Sequence, residues 1–473
     1  MSSWIRLDKY LSDMGVGTRS EVREKIQKGR VQVDGKTVKI PKTKVQSDVS
    51  TVLCEGKEIV YHALEYYMMN KPAGWVCATT DPQEKTVLDL MDQQKRKDLS
   101  IAGRLDKDTE GLVLLTNDGM LIHQLLAPGK HVGKLYYARV RGCVSFEDVE
   151  IFAQGMQVEE DFCALPAKLI PLSVSEEREE SEILLELWEG KFHQVKRMFT
   201  AVGKEVLYLK RWTLGALSLD EKLEVGQYRA LTAEELESLK NSPRSQEVCL
   251  PKDVDCVIFD MDGTLVDSMW VWGEIDQVYL GKYGLQVPAD LSDEIRGMSV
   301  MQTALYFQSR FGIQDTVEEI IAKWNEMAWE KYTTEVPLKP GALLFLKYLQ
   351  YHKIPCAIAT SNSGVLAQGV LQSLKIRDYF AAIVTGEEIH NGKPAPDVYL
   401  EAARRVGVSP AHCFVFEDIP DGLQAAKAAG MRCAAIEDAS SAHVREQKRE
   451  LADYYIKDYY GLFNGNVECL RKG

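Results

Sequence analysis

The chain has 473 residues, of which 45% are hydrophobic and 27% charged, and its formal net charge is −13 at pH 7. These fractions are those of an ordinary globular protein, and the length predicts two to four domains. Apolar runs fall short of the ~20 residues of a membrane-spanning helix, and the first residues lack a signal peptide's apolar segment. We therefore expect a cytoplasmic protein that contacts no membrane.

The first predicted domain, residues 1–60, is short and basic. Residues 1–44 carry eleven Lys or Arg against five Asp or Glu, a net charge of +6 on an acidic chain. Such a basic segment is typical of a local RNA contact, although a solvated helix face would give the same charge. Two short amphipathic helices are predicted, ended by Gly29 and followed by a strand at 31–33 that turns at Asp34-Gly35.

This segment resembles the S4 RNA-binding domain over about 55 residues. The resemblance implies a small α/β module that positions a partner domain on RNA and carries out no chemistry itself. We expect a set of cations, six in this module and one in the next domain, to face RNA phosphates. They are Arg6, Lys9, Arg19, Arg23, Lys28, Arg30 and Arg197.

Residues 61–240 form the second predicted domain, in which short strands alternate with a few helices. Strands are predicted at 66–71, 111–116, 136–140 and 183–188, and helices at 120–126 and 194–202. The mixture indicates an α+β fold with a mainly antiparallel sheet. A polar, proline-broken stretch at 241–251 is the predicted linker to the rest of the chain.

Arg104 and Asp106 flank an apolar residue just before a predicted strand. A carboxylate that attacks a ribose, or takes a proton from it, must stay ionised in a dry pocket, and a neighbouring guanidinium can hold it so. An acidic loop with surface ion pairs has the same composition. This stretch by itself leaves both interpretations open.

Three motifs together resemble the pseudouridine synthases, specifically the branch that acts on small-subunit ribosomal RNA. They are Gly-Arg-Leu-Asp at 103–106, Lys-Leu-Tyr at 134–136 and Glu-Gly-Lys-Phe-His-Gln-Val-Lys-Arg-Met-Phe at 189–199. The resemblance implies that Asp106 is the catalytic carboxylate and that Arg104 holds the flipped nucleotide or fills its vacated place. It also implies that Tyr136 stacks on the freed base and that Lys196 pairs with the aspartate. No cofactor is expected, and whether Asp106 attacks C1′ or removes a ribose proton stays open.

Residues 252–473 form the third predicted unit, in which nearly continuous apolar runs alternate with helical patterns. The runs lie at 254–259, 356–359, 382–385, 413–416 and 433–436. This pattern predicts an α/β Rossmann-like fold, with a parallel sheet covered by helices on both faces. A wholly helical stretch at about 269–335 follows the first strand.

Polar residues follow several of these strands. Asp260 and Asp262 end the first strand, and two carboxylates this close repel each other unless a cation such as Mg²⁺ neutralises them. Ligands of open α/β sheets bind beyond the carboxyl ends of the strands. The other strand-end candidates are Thr360, Ser361, Asn362, Lys393, Glu417 and Asp418.

Together these residues resemble all four motifs of haloacid-dehalogenase-type phosphotransferases, over roughly 252–465. The resemblance implies that Asp260 attacks phosphorus and forms an aspartyl-phosphate. It implies that Asp262 protonates the leaving oxygen and then activates water. The implied metal site holds Mg²⁺ by Asp260, Asp418 and the backbone carbonyl of Asp262, with Glu417 in support. The implied phosphate-binding residues are Thr360, Ser361, Asn362 and Lys393.

The helical stretch lies where this family carries a small cap that selects the substrate, which favours a small phosphorylated metabolite. Gly-Met-Ser-Val at 297–300 occupies the place where the family's sugar-phosphate mutases have Ser followed by Arg, and Val300 disfavours that activity. We therefore expect a bifunctional enzyme. The alternatives are a sugar-phosphate mutase in the second half, or a chain in which one half is a non-catalytic binding module.

Overall fold

The computed structural model describes residues 4–47, 49–61, 64–92, 99–126, 132–240, 250–251, 253–288, 290–295 and 300–470. The chain forms two compact units, Met1–Gln246 and Glu247–Gly473. Most of the predicted linker at 241–251 lies outside the described residues. Among the helices in these ranges, none combines the length and the apolar character that crossing a membrane requires.

The first unit begins with the S4-like module. Its elements are β1 (Trp4–Arg6), α1 (Leu7–Asp13), α2 (Arg19–Gln27), β2 (Val31–Val33), β3 (Lys36–Thr37), β4 (Lys44–Gln46), β5 (Val52–Cys54) and β6 (Lys57–Ile59). A capping box starts α2: the Thr18 hydroxyl accepts from Glu21 N, and the Glu21 carboxylate accepts from Thr18 N. Fully buried Leu11 and Val22 join the two helices in one small core, so the predicted α/β module is confirmed.

The rest of the first unit is built around a large sheet. Its elements are β7 (Tyr66–Lys71), β8 (Ser100–Ala102), β9 (Glu110–Thr116), α3 (Gly119–Leu126), β10 (Lys134–Arg141), α4 (Phe146–Gln154), β11 (Met156–Glu159), β12 (Phe162–Ala164), β13 (Lys168–Ser175), β14 (Glu180–Leu187), α5 (Gln194–Ala201), β15 (Glu205–Leu214), β16 (Leu217–Ser218), β17 (Tyr228–Ala230) and α6 (Ala233–Lys240). The strand order is β13-β14-β10-β15-β9-β7-β17, with β8 beside β9 and β16 beside β15. Among these described strands only β9 and β15 pair in parallel, which confirms the mainly antiparallel α+β fold.

The second unit has a sheet covered by helices. Its elements are β18 (Cys256–Phe259), α7 (Trp270–Gly281), α8 (Leu291–Glu294), α9 (Val300–Phe311), α10 (Val317–Thr334), α11 (Ala342–Tyr351), β19 (Cys356–Ala359), α12 (Gly364–Ser373), β20 (Phe380–Val384), α13 (Asp397–Val406), β21 (Cys413–Glu417), α14 (Pro420–Ala428), β22 (Arg432–Ile436), α15 (Arg445–Leu451), β23 (Tyr454–Ile456), α16 (Gly461–Asn464) and β24 (Val467–Cys469). The order is β20-β19-β18-β21-β22-β23-β24, parallel up to β23 with β24 antiparallel at the edge.

The structure has a strand at each of the five apolar runs predicted in the second unit. The apolar residues of these runs are buried, as expected for a parallel sheet covered on both faces. Between β18 and β19 the chain forms the expected helical insert, α7 to α10. The sequence did not predict β23 and β24. Each has three residues, which is too short to give a periodic pattern, and β24 is only partly buried at the sheet edge.

Candidate active sites

A cavity of about 490 Å³ opens in the first unit at the loop between β8 and β9. Arg104, Asp106, Tyr136 and His193 are among its lining residues. Tyr136 is 8% exposed on β10, and Lys134, two residues earlier, faces the same side because strand side chains alternate. Burial, together with the charge of Arg211, lowers the pKa of Lys134 to about 8. The structure thus brings together three of the four residues predicted to be catalytic in this half.

Two buried cations hold the loop that carries Asp106. Arg211 Nη2 donates to the carbonyl of Gly103 at 2.6 Å. Lys71 Nζ donates to the carbonyls of Lys107 and Thr109 at 3.1 and 2.7 Å. Lys71 and Arg211 are both fully buried, so the cationic groups give the loop a rigid support beneath the cavity.

Neither Lys71 nor Arg211 was predicted as a site residue. Their signal in the sequence was a charged residue among apolar residues of a strand, at the end of the mostly buried β7 and inside the partly buried β15. A charge in such a position is rarely found without a specific partner. Here the partners are backbone carbonyls on a loop far away in sequence.

The predicted partner of Lys196 is wrong in this structure. Lys196 Nζ lies 2.5 Å from Asp108 Oδ1, two residues beyond Asp106, because the first turn of α5 directs the side chain to that carboxylate. Among the described residues, His193 is the basic group found within 4 Å of Asp106, with its Nε2 3.7 Å from Oδ1, beyond hydrogen-bonding distance.

A guanidinium at Arg104 could have kept Asp106 ionised, which the sequence left open, and the structure does not place it there. Arg104 is exposed to solvent, whereas Leu105 between the two residues is buried. Within the described ranges, neither a hydrogen bond nor an ion pair joins Arg104 to Asp106. The exposed guanidinium at the rim of the cavity fits the other implied role, a contact with the flipped nucleotide.

Six of the seven predicted RNA-binding cations form ion pairs. Arg6 and Arg23 share the buried Asp8, at 2.7 and 3.1 Å. The other pairs are Lys9–Asp13, Lys28–Glu24, Arg30–Glu55 and Arg197–Glu159. Most of these pairs are near the surface, where an ion pair contributes only about 0–1 kcal/mol, so a phosphate can displace the carboxylate.

The second site lies where strands of the parallel sheet end together. Phe259 of β18 is in register with Phe416 of β21 and Ile358 of β19. The residues that follow the ends of these strands therefore meet at one edge of the sheet. They are Asp260 after β18, Thr360 after β19 and Asp418 after β21.

Three buried carboxylates meet at this edge. One oxygen from each of Asp260, Glu417 and Asp418 lies within 4.8 Å of the others. Lys393 Nζ donates to Asp260 Oδ1 at 2.5 Å and to Glu417 Oε2 at 2.7 Å. Burial and the charge of Glu417 raise the pKa of both Asp260 and Asp418. Burial lowers the pKa of Lys393, but its two carboxylate partners outweigh that effect and raise it.

The carboxylates fit a divalent cation. Asp418 Oδ2 is buried and has no hydrogen-bond partner in the described part of the chain. A side chain at Gly263 would place its Cβ 2.4 Å from this oxygen, so glycine keeps the space open. Three carboxylates and one Lys leave an excess negative charge that Mg²⁺ would neutralise with its preferred oxygen ligands.

Glu417 supports this cluster, and both of its carboxylate oxygens accept hydrogen bonds. Its Oε2 accepts from Tyr399 Oη at 2.6 Å as well as from Lys393, and its Oε1 accepts from the amides of Asp418 and Ile419. With both oxygens engaged, Glu417 orients Lys393 and the strand end. Asp418 Oδ1 accepts from Thr264 Oγ1, which leaves its Oδ2 for a cation, in line with the supporting role expected for Glu417.

The side chain of Asp262 points away from the carboxylate cluster. Its Oδ1 accepts from Ser268 Oγ at 2.6 Å and from Tyr332 Oη at 2.5 Å, and its Oδ2 accepts from Asn362 Nδ2 at 3.2 Å. Burial and the charge of Asp262 raise the pKa of Tyr332, which keeps its hydroxyl protonated. These contacts leave only the main chain of Asp262 for the predicted cation site.

The predicted phosphate-binding loop follows β19. Thr360 is buried, and its Oγ1 accepts from Asn362 N at 3.0 Å. The carbonyl of Ser361 packs so closely on Gly386 that a Cβ there would lie 2.7 Å away. Thr360 and Asn362 therefore lie on the same strand-end surface as Asp260 and Asp262. Residues 297–299 of the segment used to disfavour a mutase lie outside the described residues.

Comparison with known proteins assigns the two halves to different families. Residues 5–49 match the model of the S4 domain, 65–201 that of RNA pseudouridylate synthase and 257–436 that of haloacid dehalogenase-like hydrolase. A relative from Bacillus subtilis (strain 168), the uncharacterized RNA pseudouridine synthase YtzG, is 44% identical over 242 residues, which are 51% of this chain and all of the relative. The ribosomal small subunit pseudouridine synthase A of Vibrio cholerae is 40% identical over 50% of this chain and 99% of its own.

Among solved structures, a putative beta-phosphoglucomutase from Thermotoga maritima is 28% identical over 45% of this chain and 98% of its own, with a TM-score of 0.40. The chain belongs to the RNA pseudouridine synthase family through its first half. It joins that synthase, with its S4 domain, to a haloacid dehalogenase-like hydrolase domain in one polypeptide.

Proposed function

We propose that the chain is a bifunctional enzyme. Its first unit isomerises a uridine to pseudouridine in RNA, with small-subunit ribosomal RNA as the substrate. Its second unit hydrolyses a small phosphate ester through an aspartyl-phosphate and requires Mg²⁺. The substrate RNA is carried over from the name of the Vibrio cholerae relative, and the small ester from the helical insert beside the second site.

Asp106 at the cavity is the observation that carries the synthase proposal. A uridine must leave the RNA stack before its glycosidic bond is accessible, and the cavity gives it a place beside Asp106 and Tyr136. Asp106 acts on the ribose, the bond from C1′ to N1 breaks, and the base turns on Tyr136. C1′ then bonds to C5, C5 loses its proton, and N1 gains one, so that the product is an isomer of the starting uridine. Arg104, exposed at the cavity, holds the flipped nucleotide or fills the place that it leaves in the RNA.

The contact between Lys393 and Asp260 carries the hydrolase proposal. Asp260 Oδ2 is the oxygen opposite the Lys393 contact, and it attacks the phosphorus of the ester. Lys393 and Thr360 offset the charge of the transferring group. Asp262 gives a proton to the leaving oxygen and then takes one from the water that hydrolyses the aspartyl-phosphate. Mg²⁺ would be held by Asp260, Asp418 and the main chain of Asp262, and it would supply positive charge beside the phosphoryl oxygens.

Two assays on the same preparation test the proposal. Tritium release from small-subunit ribosomal RNA labelled at uridine C5 reports the synthase. Phosphate release from a panel of phosphorylated sugars and nucleotides, including pseudouridine 5′-phosphate, reports the hydrolase and compares candidate substrates. Conversion of a sugar phosphate into its isomer without phosphate release would favour a mutase instead. Absence of tritium release would remove the synthase half of the proposal.

A further inference from the structure

Two side chains, one at each end of the helical insert, donate hydrogen bonds to the carboxylate of Asp262. Ser268 lies on the segment that enters α7, and Tyr332 lies in the last turn of α10. Both donate to Oδ1, at 2.6 and 2.5 Å. A carboxylate oxygen has two acceptor positions, so these two donors fill Oδ1. Oδ2 keeps one position open beside the Asn362 amide, which donates to it at 3.2 Å.

The two connecting segments are also bonded to each other. Asp267 N donates to the carbonyl of Pro337, and Lys339 N donates to the carbonyl of Leu265, both at 2.9 Å. This paired ribbon connects the insert to the sheet, and Ser268 and Tyr332 lie on its insert side.

Packing against α12 fixes Tyr332 in place. Ser373 of α12 donates to the carbonyl of Thr333. A Cβ at Gly369 of α12 would lie 2.5 Å from the Trp329 ring, so the glycine allows the end of α10 to approach this closely. Tyr332 is 1% exposed, and its hydroxyl also accepts from Asn362 Nδ2 at 3.2 Å. The hydroxyl therefore has one well-defined orientation, toward Asp262.

Resting on the proposed hydrolase function, we propose that Tyr332 is a positioning residue that makes Oδ2 of Asp262 the oxygen that carries the catalytic proton. Oδ2–H gives its proton to the bridging oxygen of the ester as the bond from phosphorus to that oxygen breaks and Asp260 bonds to phosphorus. Oδ2 then takes a proton from the water that attacks the aspartyl-phosphate. Inorganic phosphate leaves, and both aspartates return to their starting states.

Tyr332→Phe in the full chain tests this role, because it keeps the ring and removes the hydroxyl. Ribose 5-phosphate has a leaving group that needs a proton, whereas p-nitrophenolate needs none. We expect kcat for ribose 5-phosphate to fall roughly 10- to 100-fold, and the pre-steady-state burst of p-nitrophenolate to stay within about threefold of wild type. Tyr279→Phe is the matched control, since it removes a buried hydroxyl in α7 that donates to Asp315, and it should change neither rate.

The other outcomes of these measurements either support or overturn the positioning role of Tyr332. Wild-type kinetics for Tyr332→Phe on both esters, or an equal loss on both, would overturn the positioning role while leaving the hydrolase standing. Adding Tyr332→Phe to Asp262→Asn should cause no further loss, and a further loss would likewise overturn it. Wild-type protein that releases phosphate from neither ester nor from any member of the phosphate-ester panel would overturn the proposed hydrolase and this role together.

Discussion

The ammonium group of Lys196 lies 2.5 and 2.6 Å from the two carboxylate oxygens of Asp108, two residues beyond Asp106. The Asp108 side chain is 69% exposed, and the pair lies outside the residues that line the cavity. Lys196, which its motif assigns to the proposed catalytic aspartate, is thus paired with a neighbouring acid in this structure.

Asp108→Asn should therefore have only a small effect on stability and on pseudouridine formation. An exposed ion pair contributes about 0–1 kcal/mol, so the free energy of unfolding should fall by no more than about 1 kcal/mol. Pseudouridine formation should stay within about tenfold of wild type, since Lys196 becomes free to reach Asp106. Tritium release measured beside Asp106→Asn checks this. A loss as complete as that of Asp106→Asn would mean that Asp108 takes part in the chemistry.

Lys71→Met should lower the activity of the synthase, although Lys71 takes no part in the chemical steps. The substitution removes the Nζ donor from the buried carbonyl of Thr109, at a cost of about 1–3 kcal/mol for an unsatisfied group, and one of two donors from the carbonyl of Lys107, which keeps Gly74 N. The loop of Asp106 then loses its support, and kcat for tritium release should fall by at least about tenfold. Lys85→Met, at an exposed position, is the control. Equal activity of the two variants would refute the supporting role of Lys71.

Site residues that directly follow a predicted strand could be predicted from the sequence. Contacts between residues that are remote in sequence could not. Asp260, Thr360 and Asp418 each follow an apolar strand directly, so their place at the sheet edge follows from the run that precedes them. Lys71 and Arg211 act across the sheet on a loop that is remote in sequence, and no pattern near them names that loop. The partner of Lys196 depends on a side-chain direction, which spacing along the chain does not determine.

Gly263→Ala should abolish phosphate release. Its Cβ would lie 2.4 Å from Asp418 Oδ2, which displaces the carboxylate predicted to hold Mg²⁺. Gly407→Ala is a matched control, because Gly407 has a φ of +79° against +75° for Gly263, with nothing within 4 Å of its Cβ. Both variants should lose about 1–2 kcal/mol of stability through backbone strain, but only Gly263→Ala should lose activity. Similar phosphate release by both would contradict the cation site.

Replacing Arg19 and Lys28 together by Gln should weaken RNA binding and reduce its salt dependence. Each phosphate contact that is lost lowers the slope of log affinity against log salt by about 0.7–0.9, so a fall of about 1–2 is expected. Filter binding of small-subunit ribosomal RNA over a salt series measures the slope. Phosphate release should stay at the wild-type rate. An unchanged slope of log RNA affinity against log salt would show that Arg19 and Lys28 do not contribute to RNA binding.

The central claim is that one chain carries two independent active sites, and a crossed comparison of two isosteric variants tests it most directly. Both activities are measured on wild type, Asp106→Asn and Asp260→Asn under the same conditions. We predict that Asp106→Asn forms no pseudouridine and releases phosphate at the wild-type rate, and that Asp260→Asn does the reverse. EDTA should reproduce the effect of Asp260→Asn on phosphate release. Loss of both activities in either variant, or of neither, would contradict the account.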